Sequence, residues 1–252
     1  HGEGQPIIFI PGWTFTTEVF TQQVAHFAPH YRVIVMDPRS HGRSTTTPHL
    51  NSYTTQGADL AKLIDALDLE DVVLVGWSFG CLANWAYVRQ EGLDKVKAVV
   101  SIDLSPKPLS TDETDWTEGP LDEIAEFHNT YLFTPQGQRD FVTAYATEVM
   151  VQRELEDDEL TWIVEQSLRT PPYIAAAYFA TGMFCDYREE AQKVANHRPA
   201  LHVIAEHWAD TAEPFIKALC PETQTAVLGG HLMFWEHAGK FNRLLEDFLS
   251  EL

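Results

Sequence analysis

Short apolar runs, each stopped by a turn and followed by a helical stretch, constrain this chain more than any other feature. "PIIFIPGW" (6–13), "YRVIVMDP" (31–38), "DVVLVGW" (71–77) and "KVKAVVSID" (95–103) are rich in Val and Ile. Each is too short for a core helix, and their near-continuous apolarity suits strands covered on both faces. Helical spacing fills the gaps: "TEVFTQQVAHFA" (17–28), then "YTTQGADLAKLIDALDL" (53–69), in which Leu60, Leu63, Ile64 and Leu67 share one side. Strands separated by helices join in parallel through right-handed crossovers. The pattern therefore predicts a doubly wound α/β sheet.

The rhythm breaks after residue 103. Between 104 and 195 no strand pattern is evident; helical stretches at 121–132, 138–151, 154–168, 173–184 and 188–195 are punctuated by Pro106, Pro108, Pro120, Pro135, Pro171 and Pro172. Strand and helix alternate again from "ALHVIAE" (200–206) through "TQTAVLGG" (223–230) to a last helix in "GKFNRLLEDFLSEL". The expected organisation is a core of residues 1–105 and 196–252 with an inserted helical cap, 106–195.

In an open parallel sheet, binding sites form beyond the carboxyl ends of the strands. Trp13, Asp37, Ser78, Asp103, Glu206 and the loop of His231 stand there. Ser78 lies in Gly76-Trp77-Ser78-Phe79-Gly80, between an apolar run and a helix. That is where a nucleophile elbow would turn, with glycines removing Cβ atoms and the helix N-terminus adding positive potential. The same serine could serve only as a helix N-cap. A nucleophilic serine needs a base, and the base an orienting acid. Of 11 histidines, His231 follows a strand and two glycines in the last loop before the last helix; His207, past a strand end, is its one serious rival. His202, Glu206 and His207 cluster but lack the helical HExxH register, so no metal site is expected.

With 37 acidic and 17 basic residues, the formal charge of −20 argues against nucleic acid or an anionic membrane as partner. Cys81, Cys185 and Cys220 fit no disulfide framework or metal signature, and reduced thiols in a cytoplasm are the default. No basic-then-apolar leader opens the chain, and no run is long enough to span a bilayer. A small-molecule substrate, no cofactor, and a monomer or homodimer are expected.

"FIPGW", "VMDPRSHGRS", "GWSFG", a helical cap and "GGHLMFWEHAGKF", in that order, resemble the α/β-hydrolase superfamily over nearly the whole chain. The resemblance implies a nucleophile–acid–histidine triad, and an oxyanion hole made by the backbone N–H groups of Trp13 and Phe79. Pro11-Gly12 stands where many members have His-Gly, which leaves the backbone donor in place. The family usually has two antiparallel strands before "FIPGW"; only five residues precede Pro6, so about six parallel strands are expected. The usual acid position falls in "AEHWADTAEPF", where Asp210 is the candidate. An alternative position, at the end of the strand after the nucleophile, holds Asp103. An acid at a strand end is the more rigidly held. Asp37, Arg39 and Arg43 are expected to form a salt-bridged turn. Trp77 would wall the substrate pocket or simply pack in the core.

Three functions fit. The first is a serine hydrolase of a small, rather apolar ester or lactone, using Ser78, His231 and Asp103. The second is a cofactor-free dioxygenase of 3-hydroxy-4-oxoquinoline-type rings, with His231 as base; those relatives carry histidine where this chain has Trp77. The third is a non-catalytic binder.

Overall fold

A computed structural model of the chain describes residues 1–112 and 114–252. In chain order the elements are β1 (Pro6–Ile10), α1 (Thr21–Phe27), β2 (Arg32–Val35), α2 (Tyr53–Ala66), β3 (Val72–Trp77), α3 (Gly80–Glu91) and β4 (Val96–Ile102). Then come α4 (Leu121–Tyr131), α5 (Pro135–Tyr145), α6 (Asp157–Leu168), α7 (Pro172–Met183) and α8 (Arg188–His197). The chain closes with β5 (Ala200–Ile204), α9 (Ala209–Leu219), β6 (Gln224–Val227), α10 (Met233–Glu236) and α11 (Ala238–Ser250).

The strands form one six-stranded sheet in the order β2-β1-β3-β4-β5-β6, and each neighbouring pair is parallel. The doubly wound α/β sheet read from the sequence, with six parallel strands, is what the chain adopts. Strand side chains alternate between faces. Ile7, Phe9, Val73, Val75, Val100 and Val203 pack with Phe27 of α1 and with Phe241, Leu245 and Phe248 of α11. Ile8, Ile10, Val72 and Leu74 point the other way, against Leu60 and Ile64 of α2, Val88 of α3 and Val194 of α8. Each fully buried aliphatic or aromatic chain contributes about 1.5–3 kcal/mol relative to exposure. That explains why β1 and β3 carry no charge.

The order of strands reverses between β1 and β3: the chain runs outward from β1 to β2, then crosses back to β3. A crevice opens at such a switch point, and the loops after β1 and β3 meet in it. Between β4 and β5 the sheet is interrupted by α4 to α8. A π-helical turn (Ala146–Met150) continues α5, and α6 starts with a capping box between Glu156 and Glu159.

Candidate active site

β3 ends at Trp77, and the next residue, Ser78, has φ of 51°. A non-glycine residue in the left-handed region is strained by about 1 kcal/mol or more and persists only where neighbours enforce it. Here the Ser78 N–H donates to the Ile102 carbonyl (2.7 Å), and the Ser78 carbonyl accepts from the Cys81 N–H (2.8 Å). The flanking glycines are sterically required. A Cβ on Gly76 would stand 2.7 Å from the Cys81 nitrogen, and one on Gly80 would collide with the Ile10 carbonyl.

One strand over, β4 ends at Ile102 and Asp103 follows with φ of 54°. Asp103 is 1% exposed. Its Oδ1 accepts from the Ala205 N–H at 2.8 Å, and its Oδ2 lies 2.6 Å from Nδ1 of His231, which is also buried. Asp103 can accept only, so the imidazole Nδ1 carries the proton in this contact and Nε2 is left free to accept. Asp210, the other candidate acid, is exposed in the first turn of α9 and lines a separate groove with Thr114 and Arg188.

The loop of His231 is held from an unexpected side. The His231 and Leu232 N–H groups donate to the carbonyls of Val149 and Met150, in the π-helical turn (3.1 and 2.8 Å). The Trp77 indole N–H donates to the His231 carbonyl at 2.8 Å, and its ring packs against the imidazole with centroids 5.4 Å apart. Trp77 is thus both core and wall: it is buried, and it touches the cavity described below. His207 sits exposed on a short 3-10 turn (Glu206–Trp208). His202 is buried beside Trp85 with neither ring nitrogen paired among the described residues, and Glu206 accepts from Gln152 and from the Gly229 N–H, so these three do not converge.

Trp13 and Phe79 flank Ser78. Among the described residues their backbone N–H groups donate to no protein acceptor, which is costly to bury unless a ligand or water supplies one. The Trp13 indole N–H is fixed on the Ala175 carbonyl of α7. The loop after β1 is braced by Thr14, itself at φ of 64°, whose N–H donates to Nε2 of His41 at 3.2 Å. His41, in the loop after β2, is buried, which pushes its pKa down to about 4, desolvation outweighing its bond to the Arg39 carbonyl. The neighbouring turn meets expectation in part: Arg43 Nε lies 3.8 Å from Asp37 Oδ2. Arg39 forms a two-pronged pair with Asp59 (2.6 and 2.7 Å), while Asp37 accepts from the backbone of Thr17 and Arg43. Backbone N–H groups, not arginine side chains, supply the closest partners of Asp37.

Ser78 and His231 open onto one cavity of about 290 Å³. Trp13, Phe79 and Trp77 contribute from the sheet side; Phe127, Phe141, Tyr145 and Phe179 contribute from α4, α5 and α7. Glu118 and Glu123 also reach it. Glu118 is half-buried, and no donor or cation contacts its carboxylate among the described residues. Desolvation pushes its pKa up to about 7; His231 opposes the shift and the Asp103 charge adds to it. Sequence reasoning missed Glu118, His41 and the π-helical turn. Each acts through a tertiary contact that no local motif announces.

A putative non-heme chloroperoxidase of Synechocystis sp. is 26% identical over 262 residues, spanning 99% of this chain and 92% of that protein. With a non-heme chloroperoxidase of Streptomyces lividans identity reaches 32%, but over 126 residues; the chain spans 46% of that relative's length. Among solved structures, an esterase from Exiguobacterium antarcticum superposes with TM-score 0.87 at 21% identity, covering 99% of this chain and 93% of that one. An enol-lactonase from Burkholderia xenovorans LB400 gives 0.82 at 20% identity, covering 99% and 94%. At such identities the superpositions speak to fold. The model of the alpha/beta hydrolase fold matches residues 5–161, the stretch containing β1, the Ser78 turn and Asp103, and so the chain belongs to the α/β-hydrolase fold family.

Proposed function

We propose that the protein is a serine hydrolase of small, rather apolar carboxylic esters or lactones. The observation that carries this reading is the buried 2.6 Å contact between Asp103 and His231 beside a strained Ser78, all at one cavity. In the proposed cycle Ser78 Oγ attacks the carbonyl carbon while His231 Nε2 takes its proton. Asp103 holds the imidazole and stabilises its cation. The Trp13 and Phe79 N–H groups receive the oxyanion, each worth about 3–4 kcal/mol in the transition state. Collapse expels the alcohol, or opens the lactone, with the proton returned by His231. Water, deprotonated by the same histidine, then releases the acid from the ester on Ser78. The helices over the cavity act as a cap that excludes bulk water.

The names of the relatives support ester or lactone chemistry. The chloroperoxidase names are compatible with it too, since perhydrolysis passes through the same acyl-enzyme. Ring-cleaving dioxygenase chemistry is disfavoured by Trp77, whose indole N–H is already bound to the His231 carbonyl and offers no second imidazole. Three free cysteines, two of them buried, fit a reducing cytoplasm.

Ser78→Ala should lower kcat/KM for p-nitrophenyl acetate by about 10⁴-fold or more and abolish labelling by a fluorophosphonate. Oxygen uptake with a 3-hydroxy-4-quinolone that survives Ser78→Ala but vanishes in His231→Ala would sink the hydrolase reading.

A further inference from the structure

The cavity's polar character is one-signed. Its lining includes Glu118 and Glu123 and no lysine or arginine among the described residues. The rest is mainly aromatic. Phe127 packs 4.4 Å from Phe141 and 4.8 Å from Phe179 between ring centroids, and Trp13 stands edge-on to Phe141 and Phe179 at 5.9 and 5.8 Å. Tyr145 continues the wall to His231.

An apolar pocket for a neutral chain does not need a carboxylate, and burying one without a partner is costly. Among the described residues no side chain or backbone donor bonds to the Glu118 carboxylate, and only the more distant His231 offsets its burial. An anionic substrate would meet Glu118 and Glu123 at the wall and Asp103 beneath His231. A cation meets the opposite: an uncompensated carboxylate, ring faces carrying negative quadrupole potential, and a chain of net charge −20 that draws positive solutes inward.

We propose that Glu118, with the aromatic wall, forms a subsite for a positively charged group, so that the preferred substrates are esters bearing an ammonium. This rests on the hydrolase reading for turnover, but not for binding. Glu118 recognises the charge and the rings recognise its alkyl shell. Glu123, exposed near the mouth, supplies a second, screened attraction.

Isosteric pairs test it: the 2-(trimethylammonio)ethyl and 3,3-dimethylbutyl esters of butanoic acid, and methyl 4-(trimethylammonio)butanoate against methyl 5,5-dimethylhexanoate. In at least one pair the cation should exceed its carbon isostere roughly tenfold in kcat/KM. Glu118→Gln should bring that ratio close to one, and Glu118→Asp should retain part of it. Preference for the neutral isostere in both pairs, or a cation preference that Glu118→Gln does not touch, overturns the proposal. Binding of benzyltrimethylammonium, read by tryptophan fluorescence, separates the two readings. If no ester turns over yet this probe binds roughly tenfold more weakly to Glu118→Gln, the cation subsite stands and the hydrolase reading fails. If no ester turns over and both proteins bind it alike, the subsite fails as well.

Discussion

The two walls of the cavity are built by different rules. The sheet side is specified by backbone geometry. Ser78 and Asp103 each sit one residue past a parallel strand, each in the left-handed region, each tied by its N–H to a carbonyl of the neighbouring strand. The helical side, from Glu118 to Met183, reaches the cavity with side chains of α4, α5 and α7 whose placement depends on how helices pack. The contrast suggests that chemistry is fixed where the backbone is over-determined, while selectivity is set where only packing holds the wall. Substitutions on the two sides should therefore fail in different ways.

The largest effect belongs to the sheet side. Asp103→Asn keeps the shape but lets an amide N–H face Nδ1 of His231, favouring the wrong tautomer. The expected loss in kcat is about 10³–10⁴-fold, with KM little changed. Asp210→Asn should alter neither by more than about twofold, because Asp210 is exposed and outside the cavity. A large loss in Asp210→Asn with normal Asp103→Asn would reverse the proposed roles.

Acid sensitivity should also sit on the sheet side. Burial pushes His202, in β5, down to about 4, as it does His41. Folded values below the unfolded one near 6.5 mean that the unfolded chain binds more protons between those limits. Stability is then full above about 6.5 and is lost as pH falls toward 4, by roughly 3 kcal/mol per histidine at most. His202→Phe keeps a ring beside Trp85 and removes two unpaired nitrogens. Urea unfolding at pH 7 and pH 5 should show a smaller acid loss in this variant than in the wild type. Equal losses would place the sensitivity elsewhere.

The same division explains what could be read from the chain. Strands announced themselves because Ile7–Ile10 and Val72–Val75 are buried on both faces and tolerate only apolar residues. Ser78 was legible because its turn demands Gly76 and Gly80. His231 was legible from its place after β6, but its support by the carbonyls of Val149 and Met150 was not: a carbonyl has no sequence signature. His41 carried no local signal, because its packing partner Tyr178 comes from α7, far along the chain. Glu118 was invisible for a similar reason. An acid in an irregular stretch reads as solvated until the fold turns it toward a cavity.

A matched pair of truncations gives the smallest effect and the sharpest contrast. Phe234 is fully buried on the sheet side, against Phe20, Trp77 and Phe241. Phe179, on α7, is half-buried and faces the cavity among Phe79, Phe127 and Trp13. Phe234→Ala should cost about 3–5 kcal/mol in urea unfolding, because close packing beneath His231 can relax only partly. Phe179→Ala should cost well under that, since the ring already borders open space. Its effect should appear instead in selectivity: the added room favours longer acyl chains over acetate, shifting their kcat/KM ratio by about tenfold, the scale of one or two methylenes in an apolar pocket. A p-nitrophenyl ester series from acetate to octanoate reads this directly. If Phe179→Ala destabilises as much as Phe234→Ala and leaves the chain-length profile unmoved, then the helical side is core like the other. The division between a wall for chemistry and a wall for selectivity would then be wrong.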